Sequence, residues 1–339
     1  MTDSSYILFY AFIISVAILI INKIFKNQNL LISETGDRHQ KFASLSKIPL
    51  TGGIFLFLSL LYYFNQNILS LILFSFFILT LGIFSDLKYI RSASKRFIFQ
   101  TSIVACFVVH NDLQILNTKI FLLDQILSNH IFNYIFVSFC ILIVINGSNF
   151  LDGLNTLNIG YYSIILLIIF ILSKNEILYI YEFNIHYLLL IFIIIYLLNF
   201  FNKIYLGDSG SYLLGFLFSI FLIKIYSWNE NISPFFIILM LWYPSFETLF
   251  SIIRKNIMNK SPMNPDANHL HQQIFIILKR KFKFETYNAN LVSANLINLY
   301  NLAILAISAN FVTNSQIQIL LIMLNLCVYI FIYFKLFVI

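Results

Sequence analysis

Apolar residues gather in long blocks separated by short polar loops. Blocks recur at roughly 6–25, 49–64, 68–85, 96–110, 131–147, 157–173, 185–200, 209–227, 233–253, 291–312 and 317–338. A helix that crosses a bilayer needs about 20 mostly apolar residues. Blocks of this length without strand-like alternation read as helices. The pattern predicts an all-α, polytopic integral membrane bundle of about eleven transmembrane helices. The blocks at 49–64 and 96–110 are the weakest. The first block has only Met1–Ser5 before it and no cleavage-site pattern, so it is expected to be a retained helix. The longest loop, about 254–290, is too short for a soluble domain. A single membrane domain over 1–339 is expected, with loops at about 26–48, 86–95, 146–156, 201–208 and 254–290 on one side.

Basic residues orient this bundle. With the N-terminus outside, the C-terminus inside and alternating helices, eighteen of the 21 Lys and Arg residues fall on inner loops or inner helix ends. Only Lys119, Lys174 and Lys224 stay outside. This matches the excess of Lys and Arg in cytoplasmic loops, and one helix more or fewer would scramble it.

Composition narrows the class. Of 339 residues, 60% are hydrophobic and 10% charged, against about 25% charged in soluble domains. A water-soluble domain and a disordered chain are both excluded. Cys106, Cys140 and Cys327 lie within apolar blocks without CxxC spacing and are expected to be packing residues. The net charge of +7 is a topology signal, and no nucleic-acid partner is expected.

Nearly every unusual polar cluster falls on the inner side. Ser85-Asp86-Leu87-Lys88 closes the third block. Asp86 there is either a solvated boundary residue or a carboxylate for a metal or proton. Asn146, Asn149 and Asp152 are spaced to share a helix face, with Gly153 permitting a turn after them. Such a set suits hydrogen bonding to a nucleotide or holding a hydrated cation; the alternative is a set of turn formers. Gly207-Asp208-Ser209-Gly210-Ser211 opens the eighth block. Small residues at a helix start let backbone N–H groups approach an anion. Asp208 would repel a bare phosphate there unless Mg²⁺, usually held by one or two carboxylates plus phosphates, bridges the two. Simple N-capping is the competing reading.

The loop Pro262 to His271 carries His269 and His271 among Arg254, Lys255 and Lys260. An HxH pair alone is a weak zinc signal. The basic loop suits a pyrophosphate, or an anionic lipid surface. Lys47-Ile-Pro49-Leu-Thr-Gly52-Gly53 marks a loop-to-helix transition, and Arg38 and His39 upstream add candidate phosphate contacts. Glu247, with Arg254 on the same face, is expected to form a structural ion pair.

In this order the five clusters resemble the polyprenyl-phosphate N-acetylhexosamine-1-phosphate transferase superfamily. The carriers are Pro49-x-x-Gly52-Gly53, Gly82-x-x-Ser85-Asp86, Asn146-x-x-Asn149-x-x-Asp152-Gly153, Gly207-Asp208-Ser209-Gly210-Ser211 and Asp266-x-x-His269-x-His271-Gln272. The last two look closer to the GlcNAc-type branch than to the cell-wall pentapeptide branch. The resemblance implies transfer of a sugar 1-phosphate from a UDP-N-acetylhexosamine to polyprenyl (undecaprenyl) phosphate, with release of UMP. It implies Mg²⁺ as cofactor, a bacterial inner membrane and an active site on the cytoplasmic face. It assigns Asp208 as principal metal ligand with Asp152 beside it, and Asp86, Asp152 and Asp208 as the catalytic acids. Lys47, Asn146, Asn149, Asn155, His269 and His271 go to substrate binding. A homodimer is compatible with it.

Four positions depart from the superfamily pattern. Ser85 replaces the first acid of a pair, Asn155 a second Asp, Gln272 a third His, and Glu247 the usual Asp. A phosphate near neutral pH is already largely ionised, so loss of the acid at 85 need not abolish turnover. A transporter or flippase, or an inactive relative, is the rival reading. Transporters place ionisable groups near the midplane, often on broken helices within repeats. Here the acids cluster at one surface and no internal repeat is visible, which favours an enzyme.

Overall fold

The computed structural model describes residues 3–33, 47–63, 68–181, 183–264 and 268–337. Within them are α1 (Asp3–Gln28), α2 (Gly52–Leu60), α3 (Leu69–Asp86), α4 (Ala93–His110), α5 (Phe121–Leu127), α6 (His130–Leu151) and α7 (Leu157–Lys174). The chain continues through α8 (Ile185–Phe200), α9 (Gly207–Trp228), α10 (Pro234–Met240), α11 (Trp242–Ile257), α12 (Leu270–Arg280), α13 (Thr286–Ala309) and α14 (Ser315–Phe337). No strand forms among the described residues; one isolated bridge joins Ile32 to Pro49.

Each of the eleven apolar blocks lies on a helix or a helix pair. Seven helices, α1, α3, α6, α7, α9, α13 and α14, are long and apolar enough to cross a membrane. The ninth block is broken into α10 and α11, bent by 74°, and would make an eighth. Helices α2 and α8 are shorter, at 9 and 16 residues. Helix α4 carries Lys95 and Arg96 in its first turn. The short α5 and α12 belong to loops.

The bend in the ninth block has a local cause. Pro244 has no N–H, so the carbonyl of Met240 loses its helical donor. The buried Tyr161 hydroxyl donates to that carbonyl instead, at 2.8 Å. Other helix starts are capped by side chains. Asn129 accepts from the N–H groups of Ile131 and Phe132, and Ser233, followed by Pro234, accepts from that of Phe235.

Helix α9 is the axis of the bundle. Of the candidate spans it is the most buried, and it packs mainly against α6, α3 and α2. Close approach needs small residues. A Cβ on Gly53 would lie 2.5 Å from the backbone nitrogen of Gly210, and one on Gly82 would overlap the backbone of Ser209. Helices α1 and α14 stand at the rim, where Phe9, Phe12, Leu19, Leu320, Phe331 and Phe334 are exposed. So much exposed apolar surface is stable only in a bilayer, and the chain is a multi-pass membrane protein. Cys106 and Cys327 are also exposed, so these two are not packing residues as expected; Cys140 is half-buried. They sit on outward helix faces where a small apolar side chain meets the surroundings.

Gly82→Val should lower stability by about 1–3 kcal/mol, as overpacking typically does. The measurement is the melting temperature of detergent-purified protein; an unchanged value would show that α3 and α9 do not touch there.

Candidate active site

The site is built around the first turn of α9. Its approach is fixed by the segment before α2. Tyr205 N–H donates to the Pro49 carbonyl at 2.8 Å, and Gly52 N–H donates to the Tyr205 carbonyl at 2.9 Å. The Pro-x-x-Gly-Gly signature therefore braces the loop that leads into Gly207.

The first N–H groups of any helix lack intrahelical partners and carry the positive end of its dipole. Asp86, the last residue of α3, satisfies two of them. Its Oδ1 accepts from Asp208 N–H at 2.8 Å and its Oδ2 from Ser209 N–H at 3.1 Å. Gly207 adopts φ +68°, and a Cβ there would sit 2.8 Å from Asp86 Oδ2. Glycine is thus required both for the left-handed backbone and to leave room for the carboxylate.

Asp208 points the other way. Its Oδ2 accepts from the Ser85 hydroxyl, from Arg96 Nη1 at 2.9 Å and from the Tyr212 hydroxyl at 3.4 Å. Arg96 also donates to Ser85 Oγ at 2.8 Å. No hydrogen bond reaches Asp208 Oδ1 among the described residues. Asp152 caps the end of α6 and faces the same turn, beside Ser211 and the Gly207 N–H. Burial first, then the carboxylates of Asp208 and Asp86, hold its carboxyl well above the usual range, and the polar groups beside it only partly offset them. Three acids from three helix ends thus meet at one turn, and one of them, Asp208, is paired with the Arg96 guanidinium.

The other predicted residues are distributed around this centre. Asn146 and Asn149 lie on α6, about two turns and one turn before Asp152 respectively. Asn146 Nδ2 donates to the Leu142 carbonyl at 2.8 Å and to Gln100 on α4 at 3.3 Å. Asn149 is half-buried, and its side chain makes no hydrogen bond among the described residues. Asn155 stands apart. It is buried, its N–H donates to Asn290 Oδ1 at 2.8 Å, and its amide is taken by Asn202. It braces the helices behind the acids. Lys47 is exposed and donates to Asn29 at 2.9 Å, beside the bracing segment. Arg38, His39 and Asp266 lie outside the described residues.

His269 and His271 are brought to the same end of the bundle. Their rings are parallel within 9°, with centroids 5.6 Å apart, and Phe150 packs on His269 at 4.5 Å. His271 Nε2 lies over Gly153, 3.2 Å from where its Cβ would be. The Asn-Asp-Gly turn and the histidine turn are therefore one surface. Gln272, the departure from the third His, has a folding role. His269 is the N-cap of α12 and Gln272 its N3, and the Gln272 side-chain oxygen accepts from His269 N–H at 3.2 Å, the N3 half of a capping box.

Glu247 does not take the expected partner. Its carboxylate accepts from His269 Nδ1 at 2.9 Å and from Leu270 N–H at 3.2 Å. Arg254 instead donates to the Asn268 carbonyl and, at 2.9 Å, to the Tyr333 hydroxyl. Lys255 donates to the carbonyls of Pro262 and Asn264 at 3.1 and 2.7 Å. These two cations are buried and hold the loop in shape, so they are not the phosphate contacts that the sequence pattern predicts. Sequence reasoning also missed Arg96, read only as an inner-side charge, and Tyr212, one helical turn beyond Asp208. The signal for Tyr212 was that i, i+4 spacing.

No group of three His, Cys, Asp or Glu residues forms a closed metal cage among the described residues. The donors do fit an open Mg²⁺ site. They are hard carboxylate oxygens, one of them unpartnered on Asp208, in a place with excess negative charge.

Fold and site together define a polytopic membrane protein with a carboxylate-rich centre at one end of its helices. Residues 68–226, which include Asp86, Arg96, Asp152 and Asp208, match the family described as glycosyl transferase family 4. The chain is 28% identical over 276 residues to a probable undecaprenyl-phosphate N-acetylglucosaminyl 1-phosphate transferase of Bacillus subtilis (strain 168), covering 78% of this chain and 76% of that one. A 68-residue stretch is 32% identical to an undecaprenyl-phosphate alpha-N-acetylglucosaminyl 1-phosphate transferase of Thermotoga maritima, covering 20% of this chain and 22% of that one. By these matches the chain resembles the polyprenyl-phosphate N-acetylhexosamine-1-phosphate transferase superfamily.

Asp152→Asn should stabilise the metal-free protein increasingly as pH rises. The folded-state pKa of Asp152 is raised, so its ionisation costs stability as pH climbs through that value, and asparagine carries no such cost. Melting temperatures should differ more at pH 8 than at pH 5; a flat or reversed trend would place Asp152 away from the other acids.

Proposed function

We propose that this protein transfers a sugar 1-phosphate from a UDP-N-acetylhexosamine to undecaprenyl phosphate, releasing UMP. The observation that carries the reading is the convergence of Asp86, Asp152, Asp208 and Arg96 on the first turn of α9, at the same end as the histidine pair. The names of the relatives point to the same substrates. An oxygen of the lipid phosphate attacks the phosphorus that bears the sugar. The bond from that phosphorus to the UMP oxygen breaks, giving a polyprenyl diphosphate sugar and UMP.

Asp208, through Oδ1, and Asp152 would hold Mg²⁺, which when bound neutralises charge on the diphosphate as UMP leaves. Phosphoryl transfer is mostly positioning plus electrostatics, and the residues divide that work. Asp86 fixes the start of α9 and hence Asp208. Arg96 and Ser85 orient Asp208 by its Oδ2. Asn146 and Asn149 face the nucleotide side, Lys47 stands near it, and His269 and His271 contact the diphosphate. No acid stands at position 85 to deprotonate the acceptor, and an already ionised phosphate needs none. With the N-terminus outside, as the basic residues suggest, this centre would lie on the cytoplasmic face of a bacterial inner membrane.

Detergent-purified protein given undecaprenyl phosphate, Mg²⁺ and a panel of UDP-N-acetylhexosamines should release UMP only when the lipid is present. Chelating Mg²⁺ should stop it, and Asp208→Asn should lose at least about 100-fold, the scale of removing one key electrostatic contact. No release with any donor, from protein shown to be folded, would favour the inactive-relative reading that Ser85 supports. Orientation has its own test. Alkaline phosphatase fused within Asn111–His130 should be active, and fused within Ser261–Asn264 inactive; the reverse pattern would invert the topology.

A further inference from the structure

Glu247 is a fully buried carboxylate that the transfer step as described leaves unused. An ionised carboxylate in such a place is costly unless it is paired and hydrogen-bonded. Here the partners come from one short turn of a different segment. His269 Nδ1 lies 2.9 Å from Oε2, Leu270 N–H donates to Oε1 at 3.2 Å, and His271 Nδ1 is 3.9 Å from Oε1. Tyr243 of α11 and Tyr329 of α14 flank the same carboxylate. Both histidines are buried as well, their rings stacked, with Phe150 of α6 on the far face of the set.

A carboxylate can only accept. The ring nitrogen facing it must therefore carry the proton, and this fixes the tautomer and ring orientation of His269. We infer that Glu247 is a positioning residue: it locks His269 with a proton on Nδ1, and it pins the 268–271 turn so that His271 Nε2 lies over Gly153. The histidine turn is then ordered before the diphosphate arrives, and the carboxylate on Nδ1–H stabilises the second proton that Nε2 needs in order to donate to an anion. This rests on the transfer reading above, since it names which residue sets up the diphosphate contacts of that reaction.

Two measurements test it. The first needs no substrate. In protein labelled with ¹⁵N-histidine, His269 should show a protonated Nδ1, and the signal should redistribute between tautomers in Glu247→Gln, which can keep only one of the two acceptor contacts. The second is UMP release from wild type, Glu247→Gln, Glu247→Asp, His269→Gln and the Glu247→Gln/His269→Gln double variant. Glu247→Gln should raise the KM for the UDP-sugar by about 10- to 100-fold, the usual loss when a carboxylate orienting a functional histidine is removed. The KM for the lipid should stay within about 2-fold by the same reasoning. Glu247→Asp should recover much of the loss, and the double variant should be no worse than His269→Gln. A tautomer unmoved by Glu247→Gln, or losses that multiply in the double variant, would overturn the inference. A purely structural role would lower the melting temperature and shift both KM values together. If wild type shows no turnover, the transfer reading fails while the tautomer measurement still decides Glu247. If Glu247→Gln does not fold, Glu247→Asp against His269→Gln carries the same comparison.

Discussion

Everything at the active end depends on how α9 begins. A buried helix cannot leave its first N–H groups to water, because little water reaches them, and an unsatisfied buried donor costs about 1–3 kcal/mol. Asp86 answers that need with both carboxylate oxygens. Because Asp86 is the last residue of α3, the cap also sets how far α3 extends along α9. Gly82, one turn earlier, lets the two backbones meet. The neighbouring Ser85 then faces Asp208 directly. One covalent step, from residue 85 to 86, thus supplies a backbone cap and a side-chain clamp on the same turn. The three remaining partners, Arg96, Tyr212 and Asp152, only have to complete a geometry already imposed.

Much of this was visible in the linear pattern. The eleven apolar blocks all lie on helices, and the five polar clusters meet at one end, because period and sidedness are local properties that the chain carries on its face. Asp208 sits at the start of a helix, and Asn146 and Asn149 lie on one helix with Asp152 as its cap. What stayed hidden was pairing across distance. Arg96 in a basic loop has the same appearance as any inner-side charge; only the return of α9 beside α4 gives it a carboxylate. Glu247 and Arg254 satisfy the seven-residue spacing of a common face. Yet the chain reverses after α11 and brings His269, 22 residues on, to a better acceptor geometry. The resemblance assigned Asn155 to substrate binding, as the residue that stands where a second Asp is usual. The helix has already ended there, so the turn points it inward toward Asn202 and Asn290.

The departures from the superfamily pattern acquire physical content in this light. Gln272 in place of a histidine supplies the N3 half of a capping box, so the start of α12 is secured by its own side chain. Ser85 in place of an acid changes the charge balance around Asp208. An acid there would stand beside Asp86 and Asp208 and compete for Arg96. A hydroxyl both donates to Asp208 and accepts from Arg96, so it joins the two and adds no further negative charge. The cost is that position 85 can no longer take a proton. A centre arranged this way must work by holding and neutralising its substrates.

Location follows from the same constraint. For the proposed reaction, a lipid phosphate cannot be drawn into the hydrocarbon core without a large solvation penalty, and a nucleotide sugar arrives from water. The two can meet only where helices end. Placing the acids on the ends of α3 and α6 and the start of α9 meets this requirement without a separate domain, since each residue is held by a helix that the bilayer already orders. The histidines come from a loop and have no such support. Their rigidity must be built, and the stacked rings, the Gln272 cap, Phe150 and the buried Glu247 all serve that end. The half of the site carried by helix termini is thus fixed by backbone packing, and the half carried by the loop is fixed by a polar network centred on one buried carboxylate.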